Sequence, residues 1–291
     1  MRAALVALVA LVALGCEAPR EWLGVSYDDR FGEATTMDVY APGSGGAGGA
    51  TRPAVMFVHG GAWKAFSKSA HTRAAIRLAR SGYVAATINY RLVPDGVFPR
   101  AYQDSACALA FLRAHADDYG LDPARVAVIG YSAGAHLAAL LGVATDVDAI
   151  APDCAAGRPG PPAAVVPGDG PLDLRRSRFS AVVDFLGGSV DDIPETYALA
   201  SPITHVDAGE PPFLLVHAGA DLLVDLAQSE DMRDVLVAAG NEARLLTLAG
   251  GGHLFNPDPD VGHLEIIQTI ETPEGWAAIL DFLADTIGPP P

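Results

Sequence analysis

From Pro53 onwards, the chain alternates between short, continuously apolar runs and longer stretches with helical spacing. The run at 54–59 has the length and composition of a strand that is covered on both faces. The stretches at 71–80 and Ala133–Val143 are typical of helices. Strands that alternate with helices in this way join through right-handed crossovers into one mostly parallel sheet. The pattern therefore predicts an α/β fold with helices on both faces of the sheet.

The remaining segments extend this prediction. Further strands are expected at 22–28, 36–40, 83–90, 125–129, 163–166, 213–217 and 244–248, and further helices at 102–118, 226–239 and 273–287. Two regions interrupt the alternation. Residues 145–162 are rich in Asp, Gly and Pro and are predicted to form a loop. Residues 171–202 lack a sheet pattern, and we expect them to form a small cap over the site.

Length and charge restrict the range of functions. A chain of 291 residues suits one large domain, which we place at 22–291. Acidic residues outnumber basic ones by 35 to 19, for a formal net charge of -16. Such a charge disfavours electrostatic attraction to nucleic acid or to anionic lipid. The sequence predicts no nucleic-acid partner, and it does not predict an oligomeric state.

The first residues have the pattern of a signal peptide, predicted at 1–16. Arg2 precedes an apolar stretch that is short for a membrane span, and Gly15 and Cys16 follow it. The residues before Cys16 resemble a bacterial lipoprotein box, which would attach a lipidated Cys16 to a membrane. The alternative is an ordinary signal peptide cleaved nearby. Either interpretation predicts export to the periplasm or cell envelope.

Two further cysteines, Cys107 and Cys154, lie within the predicted domain. An exported protein could oxidise them to one disulfide. Cys107 falls in a predicted helix, however, and a buried core thiol is the interpretation that the sequence favours. No CxxC or paired His/Cys spacing indicates a metal, so no metal is predicted.

The motif with the clearest chemistry is GYSAG at 130–134, which follows a predicted strand and opens a predicted helix. This is the context of a nucleophile elbow, where a sharp turn holds Ser132 in a strained conformation. Side chains at Gly130 and Gly134 would collide with neighbouring backbone, so both positions must be small. The positive end of the helix points at the reaction centre. We interpret Ser132 as the nucleophile.

A second glycine-rich motif, HGGAW at 59–63, follows an earlier strand. Acyl transfer builds negative charge on a carbonyl oxygen, and one preorganised backbone N–H stabilises that charge by about 3–4 kcal/mol. Glycine lets the backbone approach a substrate closely. The N–H groups of Gly60 or Gly61, together with that of Ala133, are the predicted oxyanion donors.

A serine hydroxyl needs a base to take its proton, and the base needs an acid to orient it. His253 follows the last predicted strand, where a loop can bring its imidazole over the elbow. Asp221 follows the preceding strand. The order Ser132, Asp221, His253 is the order expected for this arrangement.

Other residues compete for these roles. The rival acids are Asp225, which we expect on the following helix, and Asp173, which would need a rarer arrangement. The rival histidines are His263, His217, His136 and His59. We expect His263 to lie on a helix or the surface, His217 to order a turn, His136 to hydrogen-bond in the core and His59 to orient the oxyanion loop. Asp221 is the preferred triad acid, and Asp225 remains the alternative.

Several motifs together resemble the esterase/lipase branch of the α/β-hydrolases, with its feruloyl-esterase-like and hormone-sensitive-lipase-like members. They are HGGAW at 59–63, INYRL at 88–92, GYSAGAH at 130–136, ASPI at 200–203, PPFLL at 211–215 and Gly252-His253. The resemblance covers the chain from about Trp22 to its end. It implies the α/β-hydrolase fold, a carboxylesterase activity on small-molecule esters, and neither metal nor organic cofactor.

Three positions depart from that family pattern. Ala62 stands where a third glycine is usual, Ala218 stands where glycine usually follows the histidine before the acid, and Asp225 stands where proline is usual. Asp225 puts a second carboxylate near Asp221, which is why the acid remains open.

The leading hypothesis is a carboxylesterase that acts on small or medium acyl groups. One alternative is an arylformamidase acting on N-formylkynurenine, although a signal peptide argues against this cytosolic role. A second alternative is a feruloyl or acetyl-xylan esterase. The non-enzymatic alternative is an inactive α/β-hydrolase that binds a ligand, although no triad residue is missing.

Overall fold

A computed structural model describes residues 17–43, 51–177, 179–249, 252–253 and 269–291. In this part of the chain, eight strands form one sheet in the order β1-β2-β4-β3-β5-β6-β7-β8. Their bounds are β1 Arg20–Ser26, β2 Thr36–Ala41, β3 Arg52–Val58, β4 Val84–Ile88, β5 Leu121–Tyr131, β6 Ala164–Gly168, β7 Phe213–Ala218 and β8 Ala243–Leu248. The pairs β1–β2 and β2–β4 are antiparallel and all others are parallel. The predicted α/β fold with a mostly parallel sheet is confirmed.

Helices cover both faces of this sheet. They are α1 Thr72–Arg80, α2 Arg100–Ala114, α3 Ala116–Tyr119, α4 Ala133–Val143, α5 Ser180–Leu186, α6 Pro194–Leu199, α7 Ala227–Ala238 and α8 Pro273–Thr286. Side chains of α1 and α8 pack in the core on one face, and those of α2, α4 and α7 pack on the other. Within the described residues, no helix is both long and apolar enough to cross a membrane.

The two cores explain why the central strands are apolar without alternation. On β3, Met56 and Val58 point into one core, and Val55 and Phe57 point into the other. Successive side chains of a strand face opposite sides of the sheet, so a strand covered on both faces needs apolar residues at every position. All four of these side chains are fully or almost fully buried.

Several element bounds and the state of the two cysteines differ from the sequence-based expectation. The helix predicted at 102–118 begins earlier, at Arg100, and ends at Ala114. The short α3 follows and is capped by Gly120, whose φ of 69° is left-handed. Cys107 on α2 is joined by a disulfide to Cys154, with 6.0 Å between the Cα atoms. The favoured interpretation of Cys107 as a core thiol was therefore wrong. The disulfide ties α2 to the predicted loop, and a sequence separation of 47 gave no local signal for it.

The region at 171–202 contains α5 and α6 with a 3₁₀ turn, Leu174–Arg176, before them. Pro171, Arg176, Phe179 and Val182 line the same cavity as Ser132. This region therefore forms one wall of the site. The predicted signal peptide at 1–16, including Cys16, lies outside the described residues.

Candidate active site

Ser132 lies between the end of β5 and the start of α4. Its backbone has φ 54° and ψ −118°, a left-handed conformation that non-glycine residues rarely adopt. The N–H of Ser132 donates to the carbonyl oxygen of Gly168 on β6 at 2.8 Å. The neighbouring strand therefore holds the turn that presents the Ser132 hydroxyl, as expected for a nucleophile elbow.

Steric exclusion fixes the two glycines that flank this serine. A Cβ at Gly130 would lie 2.1 Å from the carbonyl oxygen of Gly134, and a Cβ at Gly134 would lie 2.1 Å from the carbonyl oxygen of Val58. Both obstacles are backbone atoms, which cannot rotate away. The predicted need for small residues at both positions is confirmed.

The structure brings the three predicted triad residues together. The Oγ of Ser132 lies 2.9 Å from Nε2 of His253, and Nδ1 of His253 lies 2.7 Å from Oδ2 of Asp221. The carboxylate accepts from Nδ1–H, which leaves Nε2 as the acceptor for the serine proton. The Tyr131 hydroxyl donates to the carbonyl oxygen of His253 and holds its backbone next to the elbow.

The Asp221 side chain is buried and well supplied with donors. Its Oδ1 accepts from the N–H groups of Leu223 at 2.8 Å and Val224 at 3.0 Å. Burial alone would raise the pKa of Asp221, but the hydrogen bonds from His253 and from these backbone groups bring it below its usual value. Asp221 is therefore an anion at neutral pH, as the orienting role requires.

The rival acids have other partners. Asp225 is exposed, and its Oδ1 accepts from the N–H of Ala227, the first residue of α7, at 3.0 Å. Asp173 pairs with Arg175 at 2.8 Å. Asp221 is thus the carboxylate that contacts His253.

The rival histidines are also engaged elsewhere. His217 contacts the Ser229 hydroxyl at 2.7 Å and donates to the Val224 carbonyl at 3.0 Å, so it orders the acid-bearing turn as predicted. His136 donates to a buried carbonyl oxygen at 2.7 Å, which confirms its role in the core. His263 lies outside the described residues.

The loop after β3 and the first residue of α4 carry the predicted oxyanion donors. Gly60, Gly61 and Ala133 all line the cavity that holds Ser132. Ala133 is the first residue of α4, so its N–H has no acceptor within the helix. Ala62 and Trp63 have positive φ values of 53° and 56°, a cluster of backbone strain typical of functional loops.

His59 fixes the orientation of this loop. Its Nδ1 donates to the carbonyl oxygen of Gly60 at 2.7 Å, and its ring stacks on Tyr90 with centroids 4.3 Å apart. In a trans peptide the N–H points away from the C=O, so the N–H of Gly61 faces away from His59. Burial lowers the pKa of His59 to about 4, which keeps the ring neutral.

The cavity around Ser132 has a volume of about 370 Å³. Its walls are mainly apolar and come from five segments of the chain, and large apolar side chains among them include Trp63, Phe66, Phe179, Val182 and Leu223. Such a cavity favours an uncharged apolar group next to the serine.

Sequence reasoning missed one residue near the triad, Asp169. It directly follows β6, is fully buried, and has a carboxylate oxygen within 4.8 Å of ligand atoms of His217 and Asp221. Three such residues could hold a metal, but Asp221 is bonded to His253, His217 to Val224, and Asp169 to the N–H of Ala218. The sequence did offer one indication of Asp169, because it follows a predicted parallel strand, and ligand-binding and active sites form at the carboxyl ends of such strands.

Comparison with known proteins matches residues 37–236 to the BD-FAE family. The chain belongs to the BD-FAE family. This places it in the esterase branch of the α/β-hydrolases and confirms the resemblance drawn from its motifs.

Relatives of this BD-FAE family member include Esterase LipC of Mycobacterium tuberculosis, which is 35% identical over 70% of this chain and 53% of LipC. The chain therefore spans about half the length of that curated relative. A bifunctional GH43-CE protein of Bacteroides eggerthii superposes with a TM-score of 0.79 at 26% identity, covering 91% of this chain and 38% of the other. Esterase Est2 of Thermogutta terrifontis superposes with a TM-score of 0.75 at 21% identity over 95% of each chain, which shows the shared fold.

Proposed function

We propose that the protein is a serine carboxylic-ester hydrolase that works through an acyl-enzyme. The observation that carries this proposal is the continuous hydrogen-bonded relay from Ser132 through His253 to Asp221, with contacts of 2.9 Å and 2.7 Å. A nucleophile, a base and an orienting acid in that order are the requirements for acyl transfer.

The reaction proceeds in two halves. The Oγ of Ser132 attacks the ester carbonyl carbon while its proton passes to Nε2 of His253. The tetrahedral intermediate breaks its bond to the alcohol oxygen, and the alcohol leaves with that proton. Water then attacks the acyl-enzyme and gives a proton to His253, which returns it to Ser132 as the carboxylic acid departs. Asp221 stabilises the imidazolium that forms in each half.

The negative oxygen of each intermediate needs preorganised donors. We assign this role to the N–H groups of Ala133 and of Gly60 or Gly61. One donor of this kind contributes about 3–4 kcal/mol to transition-state stabilisation. The strained backbone at 62–63 and the bond from His59 to the Gly60 carbonyl support this assignment, because both restrict the loop.

The substrate class follows from the cavity and from the relatives. The small volume and apolar walls of the cavity favour uncharged esters of small or medium acyl groups. LipC and Est2 are named as esterases.

The test is hydrolysis of p-nitrophenyl acetate and butyrate by the wild type and by Ser132→Ala. We expect kcat to fall by about 10⁴-fold or more, because the nucleophile is lost, while circular dichroism stays unchanged. Undiminished turnover in the variant would overturn the proposal. If the wild type cleaves N-formylkynurenine but no ester, the protein is instead a formamidase. If fluorophosphonate does not label Ser132 in the folded protein, the protein is a binding protein.

Export is part of the proposal, with attachment to a membrane through lipidated Cys16. The Cys107–Cys154 disulfide supports it, since disulfides persist mainly outside the reducing cytosol. Cell fractionation tests it: the wild type should sediment with membranes, and Cys16→Ala should be released into the soluble envelope fraction. Retention of both in the cytosol would refute export.

A further inference from the structure

The mechanism leaves one buried titratable group unused, Asp169. Its side chain is fully buried at the end of β6, and its backbone has φ 48°, which aspartate tolerates better than most residues. The N–H of Asp169 donates to the carbonyl of Val216 at 3.0 Å, and its Oδ1 accepts from the N–H of Ala218 at 2.7 Å. Asp169 therefore clamps the end of β7, three residues before Asp221.

The carboxyl groups of Asp169 and Asp221 flank the same histidine. They lie 3.8 Å and 3.7 Å from Nε2 of His217. Two ionised carboxylates so close together in a buried site repel each other strongly. His217 does not neutralise them, because Nε2 donates to the Val224 carbonyl and burial lowers the pKa of the ring. The proximity of the two groups therefore favours a proton on one of them.

The hydrogen-bond donors around each carboxyl group indicate which of the two holds the proton. Asp221 accepts from His253, Leu223 and Val224, so its anion is stabilised at both oxygens. Asp169 has the Ala218 N–H on Oδ1, whereas its buried Oδ2 makes no well-formed hydrogen bond among the described residues, and the hydrogen bond from the Tyr131 hydroxyl contributes least of the groups that act on it. The anion is therefore better placed on Asp221, and the proton on Asp169.

The electrostatic surroundings agree with this assignment. Burial raises the pKa of Asp169 to about 7, the Ala218 N–H opposes that rise, and the charge of Asp221 adds to it. The other titratable groups that act on Asp169 are His253 and Tyr131, and both oppose the rise.

We propose that Asp169 is a positioning residue that acts as a neutral carboxylic acid. Its Oδ1 fixes the strand end that carries Asp221, and its proton leaves Asp221 as the one charged carboxylate that orients His253. The inference rests on the proposed function, because its catalytic part concerns the same triad.

Two variants separate the two parts of the proposal. Asp169→Asn keeps the oxygen acceptor and cannot ionise, so kcat for p-nitrophenyl butyrate at pH 6 should stay within about 3-fold of wild type. Asp169→Ala removes the acceptor, and kcat should fall by about 10-fold with little change in KM, since the carboxylate that orients the base is no longer held. Equal kcat values in the alanine variant and the wild type would overturn the positioning role.

Thermal unfolding tests the protonation state without using activity. The pKa of Asp169 is about 7 in the folded protein, against about 3.9 for an unfolded aspartate. The folded state then binds more protons between these values, so wild-type stability falls as pH rises from about 4 to about 7. The Tm of wild type minus that of Asp169→Asn should therefore decrease from pH 5 to pH 8. An equal difference at both pH values would show that Asp169 is already ionised and would overturn the proposal, whatever the Ser132→Ala assay gives.

Discussion

The nucleophile side and the acid side of the site are held in place by different means. The nucleophile side, residues 130–134, is buried except for partly exposed Ser132, and its glycines touch backbone atoms that cannot move aside. The acid side, residues 219–225, lies near the surface, and Leu222 is 99% exposed. This side is held mainly by hydrogen bonds, which run from Leu223 and Val224 to the Asp221 carboxylate and from His217 to the Val224 carbonyl, rather than by packing.

Because of this difference, we expect substitutions on the two sides to affect different properties of the protein, namely stability on the nucleophile side and catalysis on the acid side. Excluded volume on the nucleophile side leaves almost no freedom in residue choice, so a change there should affect folding. On the acid side, one carboxylate organises the loop through Leu223 and Val224 and also orients His253. A change of that carboxylate should affect catalysis far more than stability, and its exposed neighbours should matter little.

The largest expected effect is that of Asp221→Asn. The amide cannot stabilise the imidazolium and favours the wrong tautomer of His253, so kcat should fall by about 10⁴-fold. The matched control is Asp225→Asn, which changes the adjacent exposed carboxylate. It should keep kcat within about 2-fold and cost at most about 1 kcal/mol of stability, because an asparagine still caps the start of α7.

Steady-state kinetics with p-nitrophenyl butyrate and thermal unfolding measure both quantities for the two variants. If Asp225→Asn lost activity to the same extent as Asp221→Asn, both carboxylates would be needed. The contrast between a buried acid and an exposed cap would then be wrong.

The same contrast explains what the sequence could predict. The elbow is a local structure, so the GYSAG motif between a strand and a helix predicted α4 with the bounds that the structure shows, Ala133–Val143. The continuous apolar strands predicted the parallel sheet, because burial on both faces demands that composition. The three residues proposed as the triad were predicted from their places after parallel strands, which the structure shows to be β5, β7 and β8.

Features that depend on contacts between distant segments could not be predicted in this way. Asp169 matters because β6 pairs with β7, which brings it next to Ala218 and His217. Cys107 and Cys154 form a disulfide although they lie 47 residues apart in sequence, and no local sequence pattern indicates that they are close in the fold. Asp221 was separated from Asp225 by its burial and by its contact with His253, which the sequence of two carboxylates four residues apart does not reveal.

An intermediate effect is expected on the nucleophile side. Gly134→Ala would place a Cβ 2.1 Å from the backbone oxygen of Val58, and we expect a loss of about 3 kcal/mol in the free energy of unfolding. Gly142→Ala on the same helix is the matched control. Its Cβ would meet the end of the Phe213 ring at 2.5 Å, and a side chain can shift where a backbone oxygen cannot, so the loss should be smaller.

Urea unfolding of both variants decides between these expectations. Equal losses would mean that the identity of the obstacle is unimportant. The nucleophile side would then be no more constrained than the rest of α4.

The smallest expected effect concerns the exposed residues beside Asp221. Leu223 is 49% exposed and lines the cavity, whereas Leu222 is 99% exposed and is not among its lining residues. Leu223→Ser should lower kcat/KM by roughly 3-fold for the butyrate ester and less for the acetate ester, because one buried methylene contributes about 0.8 kcal/mol. Leu222→Ser should leave both values unchanged, and neither variant should lower Tm by more than about 2 °C. A fall of several degrees in either variant would mean that the acid side is packed as tightly as the nucleophile side, and the distinction between a sterically fixed nucleophile and a hydrogen-bonded acid would no longer hold.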